Sequence, residues 1–192
     1  ADAVDLLRGE EPLLDEQRCW RLDGQSLCLR SNRQEVLDLV GRYMQGFGLD
    51  VDPPGSFAPL SGAEPIVVEA YESAVVDLER SLGLQLVDWP RETGKSGRKD
   101  AWCDLLADDG VPARVVHKIR TGMTFLQQKG MRIASGPCLR NDNQLINFIN
   151  AQWMSEFQKR GAIIGHAAAL VRENKAVAIA GLSGGCLLYT SD

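Results

Sequence analysis

At 192 residues the chain has room for one domain, or for a small module and part of a larger one. An apolar fraction of 44%, a charged fraction of 24% and a net charge of −5 are those of an ordinary globular chain, and they exclude a strongly basic nucleic-acid surface. The two histidines and five cysteines, without a C-x-x-C, exclude a His-rich metal centre and a disulfide framework.

Charge is uneven along the chain. Residues 1–90 carry 7 Lys/Arg and 17 Asp/Glu, a net of −10, whereas residues 91–132 carry 9 and 5, a net of +4. A basic middle in an acidic chain suits an anionic ligand and equally suits a solvated basic face. Cys19, Cys28, Cys103, Cys138 and Cys186 read as reduced thiols of a cytoplasmic protein. The longest apolar run, Ala162 to Val171, is too short to span a bilayer, so no membrane partner is expected.

A short helix is expected over Ala1 to Leu7. Gln17 to Arg30 alternates apolar and polar residues around Asp23-Gly24, which predicts a hairpin. Asn32 reads as the cap of a helix over Arg33 to Met44, stopped by Gly46 and Gly48. Together, residues 1–51 read as an N-terminal α/β module. The proline- and glycine-rich stretch 52–65 reads as a linker. Strands are expected over Ile66 to Ala70, Leu84 to Trp89, Ala101 to Leu106, Arg114 to Ile119, Met123 to Leu126 and Met131 to Ala134, with a turn at Asp108-Asp109-Gly110.

The strongest helix signal runs from Asn141 to Arg160. Asn141, Asp142 and Asn143 are capping residues, Gly161 ends it, and Leu145, Ile146, Phe148, Ile149, Trp153, Met154 and Phe157 form one stripe read as core. Ala162 to Val171 and Ala176 to Ala180 follow, both read as buried strands. Only four residues, Arg172 to Lys175, separate them, too few for a parallel crossover, so they must pair antiparallel. The second strand of a hairpin would then lead into Gly181-Leu182-Ser183-Gly184-Gly185, which points to a mixed sheet.

That glycine-rich segment matches the first two-thirds of a phosphate-binding loop, G-x-x-x-x-G-K-[ST]. Backbone N–H groups of such a loop wrap phosphates, and glycines let the backbone approach. Cys186-Leu187-Leu188 stands where Gly-Lys-Ser/Thr would complete it. A tight turn closing a hairpin explains the glycines as well. Gly94-Lys95-Ser96 imitates the end of the same motif, but Trp89 occupies the place of its first glycine, which discards it.

Further candidates are cations and one imidazole. Lys118 and Arg120 flank a strand end beside Thr121-Gly122 and have the chemistry to reach phosphate; outward charges alternating on a strand explain them equally. Arg98 and Lys99 lie in a Gly/Ser-rich loop. His166, inside an apolar run, is either a packed histidine or an acid–base group. No metal-ligand set is visible.

The segment 165–185, with its strand, short turn, strand and glycine loop, resembles the strand–strand–P-loop unit of the HPr kinase/phosphorylase superfamily. More narrowly, Gly97-Arg98-Lys99-Asp100, Lys118-Ile119-Arg120-Thr121-Gly122-Met123, Gly136-Pro137-Cys138, Asn141-Asp142-Asn143-Gln144 and Asn147-Phe148-Ile149-Asn150 resemble HPr-kinase-related kinase B. The resemblance implies a fold: an incomplete HPr-kinase or phosphoenolpyruvate-carboxykinase-like α/β P-loop domain over 66–185. It implies an ATP-dependent kinase, using Mg2+ in its full-length form, with a protein hydroxyl as acceptor. Gly181, Ser183, Gly184 and Gly185 would be its nucleotide-binding residues. A homo-oligomer is compatible with it, and nucleic acid is not implied. Residues 186–192 resemble a translated adapter tail, so native sequence is expected to stop at Gly185 and the chain to be inactive as it stands. The alternatives are a non-catalytic binding or regulatory module and a small-molecule kinase on the same fold.

Overall fold

The computed structural model describes residues 2–46, 50–51, 64–90, 93–94, 97–106, 110–165, 167–173 and 175–180. The chain divides into two compact units, 1–153 and 154–192.

The first unit is an α/β layer structure around a nine-stranded mixed sheet. Its elements in chain order are α1 (Ala3–Arg8), β1 (Gln17–Leu22), β2 (Gln25–Ser31), α2 (Gln34–Gln45), β3 (Asp50–Val51), β4 (Ile66–Glu72), α3 (Leu78–Leu82), β5 (Val87–Asp88), β6 (Asp100–Leu106), β7 (Pro112–Lys118), β8 (Thr124–Gln128) and β9 (Met131–Gly136). A 3-10 turn at Cys138–Arg140 then leads into α4 (Asp142–Lys159), whose residues through Trp153 belong to this unit. The strand order is β3-β1-β2-β4-β9-β8-β7-β6-β5. β4 runs parallel to β2 on one side and to β9 on the other; the remaining pairs are antiparallel. Strands from both sides of the 52–65 stretch thus share one sheet, and residues 52–63 lie outside the described residues.

The expected hairpin forms at Asp23-Gly24, where both residues take positive φ (47° and 73°), as a two-residue connection requires. β2 is then buried along most of its length because β1 and β4 flank it. The cap of α2 differs from expectation. Arg33 is the cap residue and makes no side-chain cap bond. Asn32 instead reaches sideways: its Oδ1 accepts from Glu72 N–H at 2.9 Å, and its Nδ2 donates to Glu72 C=O at 3.1 Å and to a Glu11 carboxylate oxygen at 3.1 Å. It continues the parallel β2–β4 pairing one step beyond Ser31↔Ala70 with a side chain.

Two further expectations shift. The strand expected over Leu84 to Trp89 shortens to Val87–Asp88, with Trp89 N–H donating to Asp100 C=O at 2.8 Å, because Leu84 and Leu86 pack partly buried against the core instead. Residues 78–82 form a short helix that the sequence reading missed; Asp77 accepts from Arg80 N–H at 3.0 Å and Gly83 ends it at φ 65°. One core layer joins Tyr71, Val115, Leu126 and Ile133 of the sheet to Leu7 of α1 and Leu78 of α3.

The second unit contains the end of α4, closed near Gly161 (φ 89°), and a hairpin of β10 (Ala168–Arg172) and β11 (Lys175–Ile179). The two strands pair antiparallel, as the short spacing requires, with Arg172 and Lys175 themselves the last paired residues. They form a two-stranded sheet of their own, and every residue of β11 is exposed, including Val177 (58%) and Ile179 (42%). The expected burial is therefore corrected: two strands alone provide no layer to cover either face. The mixed character of the large sheet comes from β2, β4 and β9, not from this hairpin.

Candidate functional site

The turn between β7 and β8 gathers several segments singled out in the sequence. Lys118 C=O accepts from Thr121 N–H (3.1 Å) and Gly122 N–H (2.8 Å), and Lys118 N–H donates to Met123 C=O (2.8 Å). Gly122, at φ 74°, supplies the left-handed residue that closes it. A Cβ at Gly136 would stand 2.8 Å from Gly122 C=O, so the end of β9 approaches this turn as only a glycine allows. The 97–100 segment joins through Ile119 N–H donating to Lys99 C=O (3.1 Å) and through Lys118 Nζ pairing with an Asp100 carboxylate oxygen (2.9 Å). Thr121 Oγ1 donates to Gln144 Oε1 of α4 at 2.9 Å. Segments 97–100, 118–123, 136–138 and 141–144 are thus neighbours in space.

Beside this turn a groove of about 300 Å³ lies between α4 and the β7–β8 pair. The strands contribute Arg114, Val116, Lys118, Phe125 and Gln127; α4 contributes Gln144, Asn147, Phe148, Ala151 and Gln152. The helical spacing makes this a second stripe on α4. Leu145, Ile149 and Trp153 are buried, while 144, 147/148 and 151/152 line the groove one step around the helix. Phe148 stacks on Phe125 with ring centroids 4.7 Å apart. The stripe expected to be uniformly core thus splits into a packed edge and an amide-rich edge, and Met154 is exposed (40%).

Gln152 is the most constrained polar group of the groove. It is 4% exposed; its Nε2 donates to Phe148 C=O at 3.3 Å, and its Oε1 has no hydrogen-bond partner among the described residues. A buried acceptor left unmatched is costly by about 1–3 kcal/mol and marks a place where a donor is favoured. On the strand side, Arg114 lies over the Trp102 ring at 4.7 Å and forks onto Asp104 (2.7 and 3.0 Å), which holds the Asp104 carboxyl below the usual carboxylate range. Among the described residues no acidic side chain lines the groove itself.

Of the predicted site residues, Lys118 lines the groove. Arg120 is exposed on the turn, its guanidinium near Gly97. Arg98 points elsewhere: it pairs with Asp88 at 2.7 Å, fastening the loop to β5, so its charge is already matched. Lys99 is exposed, and its contribution to the turn is its carbonyl. Gly181, Ser183, Gly184, Gly185 and His166 lie outside the described residues. Sequence reasoning missed Gln152 and Asn147; the available signal was the set Gln144, Asn147, Phe148, Ala151, Gln152 at helical spacing, adjacent to the apolar stripe.

A second crevice, about 580 Å³, opens at the carboxyl ends of the parallel strands, where open α/β sheets commonly bind ligands. Here the polar groups largely satisfy one another, with Asn32 on Glu72 and Arg33 on Glu11 at 2.9 Å. Among the described residues no cluster of His, Cys, Asp and Glu could hold a metal ion, and no helix is long and apolar enough to cross a membrane.

Fold and site define the chain as an α/β protein with a mixed sheet and a groove lined by amides, aromatics and cations. Comparison with family models, with curated proteins and with solved structures finds no match to it.

Proposed function

We propose that the chain is part of an ATP-dependent kinase resembling the HPr kinase/phosphorylase superfamily, in the branch of HPr-kinase-related kinase B. The observation that carries the reading is the antiparallel β10–β11 hairpin, whose second strand leads directly toward Gly181-Leu182-Ser183-Gly184-Gly185. A phosphate loop needs such a strand before its glycines, so that successive N–H groups turn toward the anion. The meeting of segments 97–100, 118–123, 136–138 and 141–144 around one turn supports reading them as a unit.

In this proposal Gly181, Ser183, Gly184 and Gly185 cradle the phosphates of Mg-ATP. The γ-phosphoryl group passes in line to a protein hydroxyl, ADP leaves, and a carboxylate takes the hydroxyl proton. Cys186-Leu187-Leu188 stand where the loop lysine and hydroxyl that such chemistry requires would be, so the chain as it stands should neither hydrolyse nor transfer phosphate. Reading the gene past the Gly185 codon tests the proposal. Gly-Lys-Ser/Thr at those codons, with ATP binding by the encoded protein lost when that lysine is replaced, supports it. A genuine Cys-Leu-Leu reading followed by a native stop codon refutes it, and phosphorylation activity in the 192-residue chain would refute its inactivity.

A non-catalytic binding module is the second reading. The groove of the first unit favours it, because its lining among the described residues lies within 114–152.

A further inference from the structure

We infer that the groove between α4 and the β7–β8 pair is a binding site for a mononucleotide, with the base against Phe148 and Val116, a base N–H on Gln152 Oε1, and the phosphate toward Lys118.

Four features converge on that chemistry. The groove's volume of about 300 Å³ is at the small end of ligand pockets and accommodates one ring system with its substituent. Its apolar surface comes from Val116, Ala151 and the half-buried Phe148, held from behind by Phe125 at 4.7 Å, which suits a flat ring. Gln152 lines the same groove; the residue is 96% buried, and its Oε1 is unmatched among the described residues. The bond from Nε2 to Phe148 C=O fixes which end of the amide is free, since a carbonyl takes only a donor. Asn147 presents a further amide at the rim, able to give and accept on one base edge.

Charge complementarity gives the remaining part. Lys118 and Arg114 line the groove, and their carboxylate partners Asp100 and Asp104 do not. Lys118 spends one of its three donors on Asp100, leaving the others for a phosphate oxygen. An uncharged apolar ligand would use neither the cations nor Gln152. A purely inorganic anion would leave the ring surface and the amide unused. Every contact in this inference lies within residues 114–152, apart from the residues of the phosphate-loop proposal.

The test is titration of the 192-residue protein with adenosine 5′-monophosphate, uridine 5′-monophosphate, adenosine, nicotinate and inorganic phosphate. Affinity is read by calorimetry and position by amide chemical shifts. Expected is submillimolar binding of at least one monophosphate, with shifts confined to 114–127 and 144–152. Gln152→Met should weaken it about tenfold, the equivalent of one well-placed hydrogen bond. Lys118→Ala should weaken the monophosphate and leave adenosine unchanged. Should Gln152→Met unfold the protein, Asn147→Ala on the exposed rim serves in its place, with a severalfold loss expected. The inference is overturned if neither monophosphate binds, if phosphate alone or nicotinate binds as tightly, if shifts fall outside the groove, or if a folded Gln152→Met binds like the parent.

Discussion

Asn32 decides between two physical roles that give opposite results for one conservative change. As a helix cap, Asn32 would be replaced by Asp without loss, because the two are equally good at that position. As the side-chain bridge seen here, it must both donate to and accept from Glu72, and a carboxylate cannot donate. Asn32 is 8% exposed, so water does not readily take over either bond. Asn32→Ala removes two bonds to Glu72, at about 1 kcal/mol each, and orphans a part-buried N–H, so a loss of about 2–3 kcal/mol is expected. Asn32→Asp keeps the acceptor but sets a negative charge against Glu72 C=O and the Glu11 carboxylate, so its loss should be at least as large, about 3 kcal/mol. Equilibrium urea unfolding followed by far-ultraviolet circular dichroism measures this. With a slope of about 2 kcal/mol/M, the midpoint should fall by roughly 1–1.5 M for either variant. An Asn32→Asp protein within about 0.5 kcal/mol of the parent would refute the bridge and restore the cap.

Three other outcomes follow from the same structure. Gly136→Ala, at φ 125° with its Cβ 2.8 Å from Gly122 C=O, should cost about 3 kcal/mol by urea unfolding. Gly130→Ala, at φ 80° in open space, should cost only about 1 kcal/mol, and equal losses would discount the close approach. The Tyr71 hydroxyl, pushed up to about 12 chiefly by burial and next by the Glu69 carboxylate, should ionise late in an absorbance titration, and Tyr71→Phe should delete that late step. Burial pulls His117 below its ordinary value of about 6.5, against the opposing fields of Asp77 and Glu79. The folded state therefore takes up its proton later than the unfolded chain. Stability should fall as pH drops from about 6.5 through the lower folded value and level off beneath it; His117→Gln should flatten that slope in urea midpoints.

The large elements were legible because their signals are local. Alternation around Asp23-Gly24 makes the β1–β2 hairpin, the 3.6-residue period makes α4, and a short spacing forces β10 and β11 antiparallel. What escaped depends on neighbours distant in sequence. Asn32 looks like a cap until β4 arrives beside it, 40 residues on. Leu84 and Leu86 look like strand residues until the core beneath the sheet claims them. The burial expected for β10 and β11 came from their apolar composition, which cannot report that the pair stands as its own two-stranded sheet.

Sequence by itself determined an α/β chain with a basic middle, a hairpin leading to five residues rich in glycine, and four cations and a histidine worth testing. Tertiary structure alone decided which of those cations are spent. Arg98 and Lys118 are each matched by a carboxylate, Asp88 and Asp100, and of the two Lys118 lines the groove. Only the packing of α4 on β7 and β8 turned Gln144, Asn147 and Gln152 from ordinary polar positions into one wall. The reason is that helical periodicity tells which residues share a face, while the surface that face meets depends on contacts between elements far apart in the chain.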